Sequence, residues 1–239
     1  MNNYQIIIEY KGTNFFGWQH QQNKRTVQGE IQNAISKINK NKPIKIVGSG
    51  RTDTGVHANA QSANFEIEKL WDENKLRMAI NGNLPNDVRI LKCIKKSNNF
   101  HSRFSAKKRK YVYKCHSGKS VIFKDLYWEI PNKIKINILN DCSKFLKGRI
   151  DFTTFSKNNP EIRNRFCNIY SCKWIDNHPF YVFEIEADRF LHHLIRYLVG
   201  TMIKVSENII TLDYFVELLN NKNERKLHCW SSKKVIRVI

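Results

Sequence analysis

Apolar residues in the first hundred positions form short β-branched runs, separated by stretches of helical periodicity. The runs predict strands at residues 5–10, 44–47, 61–67 and 88–94. Thr26 is a favourable N-cap, and the apolar positions after it recur every three or four residues as far as Ile38, which predicts a helix. A second helix is predicted at residues 74–81, ending at Gly82. The order βαββαβ is the ferredoxin-like arrangement.

The second half shows a similar pattern without sequence identity to the first. Strands are predicted at residues 109–116, 166–175, 180–187 and 235–239, and helices at residues 137–146, 190–205 and 212–219, with Asn137 as the cap of the first. No linker rich in Pro, Gly or Ser occurs near residues 97–108. We therefore expect an α+β protein with two ferredoxin-like halves, residues 1–100 and 101–239. They should share a mixed, mainly antiparallel sheet, with the active site at the seam.

The net charge of the chain indicates a negatively charged binding partner. Lys and Arg number 41 and Asp and Glu 21, a net charge of +20 with a pI near 9.8, which is typical of proteins that bind polyanions. An AT-rich genome offers an alternative explanation, because it enriches Lys, Asn and Ile without functional cause. However, several basic residues cluster within twelve positions: Arg103, Lys107, Lys108, Arg109, Lys110 and Lys114.

The cysteines and the apolar runs exclude other classes. The six cysteines show no Cys-x-x-Cys spacing, so we predict no metal site and expect free thiols in a reducing cytoplasm. The N-terminus lacks the charged and apolar regions of a signal peptide. No apolar run approaches the roughly 20 residues needed to span a bilayer, so no membrane association is predicted.

Candidate chemistry lies between the predicted strands at residues 44–47 and 61–67. Gly48 and Gly50 allow backbone conformations that a Cβ would block. Arg51, two residues before Asp53, supplies positive charge that keeps a nearby carboxylate ionised. An ionised carboxylate suits a nucleophile or an electrostatic stabiliser rather than a general acid. The same composition also describes a Gly-rich surface loop with an Asp-Arg pair.

The order of letters favours the catalytic interpretation. Gly50-Arg-Thr-Asp-Thr-Gly-Val-His-Ala58 resembles the catalytic motif of the TruA-type tRNA pseudouridine synthases. Further motifs of that family follow in the same order, from residue 4 to about residue 205. They are Tyr10-Lys-Gly12, Phe16-Gly-Trp-Gln19, Thr26-Val-Gln28, Asn83-Leu-Pro85, Phe100-His-Ser-Arg-Phe-Ser-Ala106, Arg109-Lys-Tyr-Val-Tyr113, residues 148–155, and Phe190-Leu-His-His-Leu-Ile-Arg-Tyr-Leu-Val-Gly200.

The resemblance implies a pseudouridine synthase fold and an isomerase that converts uridine to pseudouridine at positions 38, 39 and 40 of the tRNA anticodon stem-loop. It implies Asp53 as the catalytic carboxylate, with Arg196 as its partner and Tyr111 over the target base. Arg51 joins the predicted catalytic residues because of its place two residues before Asp53. It also implies a homodimer that spans one tRNA, and no cofactor. The family usually ends with an Ala-Pro-rich stretch followed by Gly-Leu, which residues 220–234 lack.

Arg196 lies in the apolar face of the predicted helix at residues 190–205. Burying a guanidinium without a partner costs several kcal/mol, so a carboxylate is needed nearby, and the resemblance identifies it as Asp53. Alternatively, the Arg196 stem extends to solvent. His192 and His193 are adjacent and should point to different sides, so one contacts RNA or both are exposed or hydrogen-bonded within the protein.

Aromatic residues near the basic cluster also have two interpretations. Tyr111 either stacks on a flipped base and relays a proton through its hydroxyl, or packs in the core together with Tyr113. Phe16, Trp18 and Phe104 are expected in the core or on an RNA-facing loop, with the core favoured.

The reaction breaks a C–N glycosidic bond and joins C5 of the uracil to the sugar, so nothing is oxidised. The carboxylate attacks C1′ or abstracts a sugar proton to give a glycal, and the sequence leaves both routes open. A glycoside hydrolase would place two carboxylates across the bond, but Glu66 and Glu68 belong to no motif. A non-catalytic module with paired RNA-recognition folds is the other alternative, although its RNP signature is missing.

Overall fold

A computed structural model describes residues 1–124, 126–130, 134–221 and 236–238. Contacts within the chain divide it into two compact units. Unit 1 comprises Met1–Lys107 with Arg237–Ile239, and unit 2 comprises Lys108–Ile236. Both units combine helices with a mixed, mainly antiparallel set of strands, so the predicted α+β class is confirmed.

Unit 1 has the predicted order of elements. The strands lie in the order β4-β1-β3-β2, and each neighbouring pair is antiparallel, which is the ferredoxin-like arrangement. The elements are β1 (Asn2–Tyr10), α1 (Val27–Ile38), β2 (Ile46–Gly48), β3 (His57–Ile67), α2 (Glu73–Asn81) and β4 (Val88–Lys96). The βαββαβ pattern predicted for this half is therefore confirmed.

Alternation and capping explain these elements. β1 buries every second side chain, and Tyr4, Ile6, Ile8 and Tyr10 are all at most 3% exposed. α1 begins where Thr26 Oγ1 accepts a hydrogen bond from Gly29 N at 3.3 Å, as predicted. α1 and α2 contact each other, α2 packs on β4, and both helices bury their apolar faces, which include Ile31, Ile35, Leu76 and Ile80.

β3 borders three strands. β1 covers one edge, while the other edge is shared by β2, opposite residues 63–65, and by β10 (Ile236–Val238). β10 runs parallel to β3, with Arg237 opposite His57 and Val238 opposite Ala58. The sequence predicts a last strand at residues 235–239, of which Val235 and Ile239 lie outside the described residues. Its pairing with β3 is a feature that the pattern does not predict.

Unit 2 contains the predicted long strands and two short additional ones. Its sheet has the antiparallel order β5-β9-β8-β7, with β6 parallel to β5. The elements are β5 (Arg109–Ser117), β6 (Trp128–Ile130), α3 (Ile136–Lys144), β7 (Gly148–Asp151), β8 (Phe166–Asn177), β9 (Phe180–Ala187), α4 (Leu194–Ser206) and α5 (Leu212–Asn220). β6 and β7 are not predicted by the sequence, because three or four residues show no periodicity.

α4 is the most deeply buried helix among the described residues of unit 2. Every residue of α4 except Tyr197 and Lys204 is buried. The helix contacts β5, α3 and α5, which explains why so little of its surface reaches solvent. The broad apolar face predicted for this segment is therefore confirmed.

Two helices of unit 2 begin away from their predicted starts. α3 begins at Ile136, and its N-cap is Lys135 rather than Asn137. The cap preference of Asn is worth only about 1 kcal/mol, and starting at Asn137 would lose the bond from Leu139 N to Lys135 O (3.2 Å). α4 begins four residues late, at Leu194, because His193 adopts a left-handed conformation with φ 67° that a helix cannot continue through.

The cysteines are buried in both units. Cys93, Cys115, Cys142, Cys167 and Cys172 are free thiols, and Cys229 lies outside the described residues. Burial raises the pKa of the Cys93 and Cys142 thiols to about 12, so they are protonated at neutral pH. Within the described ranges, no helix has both the length and the apolar character needed to cross a membrane.

Candidate active site

The loop that carries Asp53 connects β2 to β3 at one end of the unit 1 sheet. Asp53 is half-buried, between the buried Thr52 and the exposed Thr54. The loop closes on itself, because Val56 N donates to Asp53 O at 3.2 Å. Gly55 takes a left-handed φ of 81°, which lets the chain turn back into β3. The loop therefore holds the carboxylate at a fixed backbone position while leaving part of it accessible.

A neighbouring segment, Phe15 to Trp18, holds the loop on both sides of Asp53. Trp18 N donates to Thr52 O at 3.0 Å, and Gly55 N donates to Phe15 O at 3.2 Å. Between these bonds, Gly17 has φ 87°, and a Cβ built there would lie only 2.6 Å from Thr52 O. A glycine at position 17 is thus required by both conformation and space.

Tyr10 and Thr52 share a buried hydrogen bond of 2.9 Å between their hydroxyl oxygens. Tyr10 is the last residue of β1, and Thr52 directly precedes Asp53. The bond therefore connects the rigid sheet to the residue before the carboxylate. Tyr10 belongs to one of the family motifs in the sequence, but no role is predicted for it there.

Arg25 restrains the first two residues, Phe15 and Phe16, of the segment that holds the loop. Its guanidinium binds both carboxylate oxygens of Asp87, at 2.7 and 2.8 Å, and Nε donates to Glu30 at 2.7 Å. The guanidinium carbon lies 4.3 Å from the centroid of the Phe15 ring, and Arg25 O accepts from Phe16 N at 2.9 Å. Fork-shaped pairs of this kind are geometrically specific, so Arg25 restrains Phe15 and Phe16 and, through them, the loop.

Two expectations about the loop need correction. Gly48 and Gly50 have no left-handed φ; Gly48 instead leaves space for the indole of Trp18, 2.6 Å from a built Cβ, and nothing approaches Gly50. Arg51 is exposed and forms no ion pair with any described residue, so the structure shows no pairing with Asp53. The carbonyl of the preceding Gly50 accepts from Gln61 Nε2 at 2.7 Å.

In unit 2, Tyr111 and Tyr113 share a face of β5 but differ in burial. Tyr113 is fully buried and packs edge-on against Trp128, with ring centroids 6.1 Å apart. Tyr111 is half-exposed and packs edge-on against Phe190, with centroids 4.8 Å apart. The interpretation that both are core residues therefore holds for Tyr113 alone.

Arg196 lies in the first turn of α4 and is only 4% exposed. The alternative in which its stem reaches solvent is therefore wrong. This turn, which the structure describes in full, contains no acidic residue. The preceding residues, His192 and His193, have ring centroids 4.1 Å apart, with His192 exposed and His193 half-buried. The left-handed His193 stores strain of the kind that occurs at functional sites.

The basic cluster is partly neutralised within unit 2. Lys108, the residue before β5, binds Glu186 on β9 at 2.9 Å, and Lys110 on β5 binds Glu184 on β9 at 3.2 Å. Arg109 donates to Asp188 O. The hypothesis that the whole cluster binds phosphate is therefore weakened at these three positions. Lys107 is exposed and stays a candidate for phosphate binding.

The aromatic residues expected in the core divide into two groups. Trp18 is 2% exposed, which confirms the core position for this residue. Phe16 and Phe104 are 48% and 78% exposed, so the core position is wrong for both. Phe16 follows the turn in which Phe15 enters the core, and Phe104 lies on a turn after β4.

Comparison with known proteins decides the family. A family model described as tRNA pseudouridine synthase matches residues 6–105 and 143–235. The chain belongs to the tRNA pseudouridine synthase family. This confirms the family that the motifs predicted, and with it the enzyme class, an isomerase.

Curated members of the family match along nearly the whole chain. The tRNA pseudouridine synthase A of Borrelia duttonii (strain Ly) is 40% identical over 220 residues, which cover 91% of this chain and 89% of the relative. That of Azobacteroides pseudotrichonymphae is 37% identical over 223 residues, 93% of this chain and 89% of the relative. That of Aquifex aeolicus (strain VF5) is 36% identical over 224 residues, 93% and 92%.

Of the predicted site residues, Asp53 and Arg51 lie in the unit 1 loop, while Tyr111 and Arg196 lie in unit 2. The structure adds Tyr10, Gly17 and Arg25 to the surroundings of the Asp53 loop. The pairing of Asp53 with Arg196 and a shared site between the halves stay predictions.

Proposed function

We propose that this chain converts uridine to pseudouridine at positions 38, 39 and 40 of the anticodon stem-loop of tRNA, with Asp53 as the catalytic carboxylate. The observation that carries the proposal is the setting of Asp53 in a chain of this family. Its backbone is held by hydrogen bonds on both sides, from Trp18 N to Thr52 O and from Gly55 N to Phe15 O, while its side chain is half-exposed.

The main requirement of the proposed isomerisation is a carboxylate held close to the sugar of the target uridine. The N1–C1′ bond of uridine breaks, the uracil turns, and a C5–C1′ bond forms. The C5 proton is lost and N1 gains a proton, so the product is an isomer of the substrate. Asp53 attacks C1′ or removes a sugar proton to give a glycal. Holding such a group in a near-attack geometry supplies a large part of a rate enhancement, and this matches the restraint of its loop. No cofactor is part of the proposal.

Tyr111 and Arg196 complete the proposed site. Tyr111 is half-exposed on the strand β5 with its ring braced by Phe190, which suits stacking on a flipped uracil and relay of the C5 proton. Arg196 is buried at the start of a helix, where both its charge and the helix N-terminus favour an anion. We propose that the anion is the Asp53 carboxylate, and that Arg51 contacts the RNA or the carboxylate once tRNA is bound.

The decisive experiment compares wild type with Asp53→Asn on an unmodified tRNA transcript. Carbodiimide labelling followed by primer extension should map pseudouridine at positions 38 to 40 with wild type and none with Asp53→Asn, because an amide lacks the charge and nucleophilicity of the carboxylate. Binding of the transcript should stay within a few-fold of wild type.

Glu66→Gln is the matched control, because Glu66 is an exposed carboxylate on β3, outside the loop. It should retain full turnover. Substantial turnover by Asp53→Asn would remove Asp53 from its role. An intact uridine with tight binding by wild type would favour the RNA-binding module, and release of free uracil would favour the hydrolase.

The proposal includes a homodimer that spans one tRNA and a cytoplasmic location, both on the resemblance to the family. Light scattering of the purified chain, alone and with tRNA, tests the dimer. A single chain bound per tRNA would reject it.

A further inference from the structure

A turn after β4 presents an aromatic platform, which we define as His101, Arg103 and Phe104. We propose that the exposed ring of Phe104 is a stacking site for a nucleobase of the bound tRNA. This inference rests on the proposed function for its ligand, but concerns residues outside the proposed catalytic group.

The ring geometry of the platform matches the way proteins stack bases. Phe104 is 78% exposed, and its ring stacks on His101, with centroids 4.3 Å apart and planes inclined by 28°. The guanidinium carbon of Arg103 lies 5.9 Å from the Phe104 centroid. Unpaired bases are held by aromatic rings and by guanidinium planes. A base added on the open side of Phe104 would extend a stack that already exists.

The platform is fixed before any ligand arrives. His101 Nδ1 accepts from Arg103 N at 3.2 Å and from Phe104 N at 3.3 Å, and His101 O accepts from Ser105 N at 2.8 Å. The turn is anchored in unit 1, because the buried Ser102 donates its backbone N–H to Asn64 Oδ1 at 2.9 Å. An exposed ring held in this way loses little conformational entropy when it binds.

The charge around the platform favours RNA, rather than a protein, as the ligand of Phe104. A single exposed Phe is ordinary on protein surfaces, but here Arg103 and Ser105 on the same turn are exposed and polar rather than apolar. Nearby, Lys96 Nζ lies 5.5 Å from the Phe100 ring centroid, and the chain carries a net charge of +20. A base stacks on the ring while its phosphate meets the cations, whereas a protein interface would need a continuous apolar patch.

The test uses the Asp53→Asn chain, so that the unmodified tRNA transcript is bound without turnover. Adding Phe104→Ala should weaken binding about five-fold or more. The salt dependence should keep its slope, because stacking releases no counterions. Arg103→Gln should instead lower the slope by about one. Phe104→Trp should bind the transcript at least as tightly as the parent. Met78 is a comparably exposed apolar residue on α2, and Met78→Ala should change neither the affinity nor the salt slope.

Stacking is then observed directly. The extra tryptophan of Phe104→Trp, taken as a difference from the Asp53→Asn parent, should lose fluorescence when the transcript binds. Unchanged affinity of Phe104→Ala, or unquenched fluorescence of Phe104→Trp, overturns the inference. The two proposals fail separately: wild type that makes pseudouridine while Phe104→Ala binds normally rejects only the platform, and wild type that makes none rejects the function.

Discussion

Thr52 links the Asp53 loop to two parts of unit 1: its carbonyl accepts from Trp18 N at 3.0 Å, and its hydroxyl shares a hydrogen bond of 2.9 Å with Tyr10. The carbonyl bond survives any change of side chain, whereas the hydroxyl bond depends on one tyrosine. The position of the Asp53 carboxylate therefore depends on a residue outside the motif at residues 50–58.

We expect Tyr10→Phe to lower kcat several-fold while the KM for tRNA stays near wild type. The change leaves the buried Thr52 hydroxyl without this partner, at a cost of about 1–3 kcal/mol, and loosens the residue next to Asp53. Steady-state kinetics with mapped product measures the split between kcat and KM.

Tyr4→Phe is the control, because Tyr4 is also buried on β1 and its hydroxyl donates to Trp71 O at 2.8 Å, away from the loop. It should lose similar stability but no kcat. Equal kcat losses in both variants would mean that Tyr10 acts through general stability alone.

Arg196→Met should reduce activity more than stability. If Arg196 holds Asp53 ionised, removing the guanidinium raises the pKa of the carboxyl group, so activity should be lost at low pH first and recover in part as pH rises. Arg196→Lys should rescue only partly, since lysine lacks the planar fork. The pH dependence of kcat and a thermal melt measure the two effects.

Lys204→Met serves as the comparison, because Lys204 lies on the same helix and binds Glu207 at 2.6 Å. It should leave the pH profile unchanged. Wild-type turnover by Arg196→Met would exclude a role for this arginine in catalysis.

The sequence identifies residues better than it identifies their contacts. The apolar residues around Arg196 leave open whether its side chain is buried or reaches solvent, and the structure shows it buried. The Tyr10–Thr52 bond joins residues 42 positions apart, and no local pattern encodes such a pairing. Phe104 was misplaced because an aromatic residue between polar letters indicates neither burial nor exposure.

At the scale of elements, long periodic stretches were predicted and short ones were missed. β8 and β9 match their predicted ranges closely, because alternation over eight or more residues specifies a buried face. β6 and β7 depend on partners elsewhere in the sheet. The start of α4 coincides with the left-handed conformation of His193, which the apolar periodicity of the sequence does not predict.

Gly17→Ala should destabilise unit 1 and impair catalysis together. The left-handed φ of 87° costs alanine about 1–2 kcal/mol, and the added Cβ would lie 2.6 Å from Thr52 O, a backbone atom that moves only with the loop. Thermal melting and turnover should both fall.

Gly50→Ala is the matched variant on the same loop. A Cβ at position 50 meets nothing within 4 Å, and the residue has no left-handed φ. Its melting temperature should equal that of wild type. A Gly17→Ala protein with normal stability and turnover would show that the segment at Phe15 to Trp18 does not restrain the Asp53 loop.

At the scale of the whole molecule, the net charge of +20 should make tRNA binding fall steeply with salt. Each phosphate neutralised by a cation contributes about 0.9 to the slope of log K against log salt. Lys107→Gln should lower this slope more than Lys110→Gln, because Lys107 is exposed whereas Lys110 already binds Glu184. Titrations at several salt concentrations give the slopes.

A flat salt dependence would instead attribute the charge to codon usage. Equal slopes for the two variants would mean that the Glu184 pair breaks when RNA binds. Together, the two measurements distinguish the contribution of the overall net charge to tRNA binding from that of the particular lysines that contact phosphate.

The buried thiols make the opening of each unit measurable. An alkylating reagent reacts with thiolate, and a buried thiol with a pKa near 12 reacts only when its surroundings open. Cys93 lies in unit 1, and Cys115, Cys142, Cys167 and Cys172 lie in unit 2. In a chain with Cys229→Ser, the alkylation rate of Cys93 therefore reports local unfolding of the sheet that carries the Asp53 loop. The alkylation rates of the other four cysteines report local unfolding of unit 2. If bound tRNA stabilises one unit against unfolding, the cysteines of that unit should be alkylated more slowly.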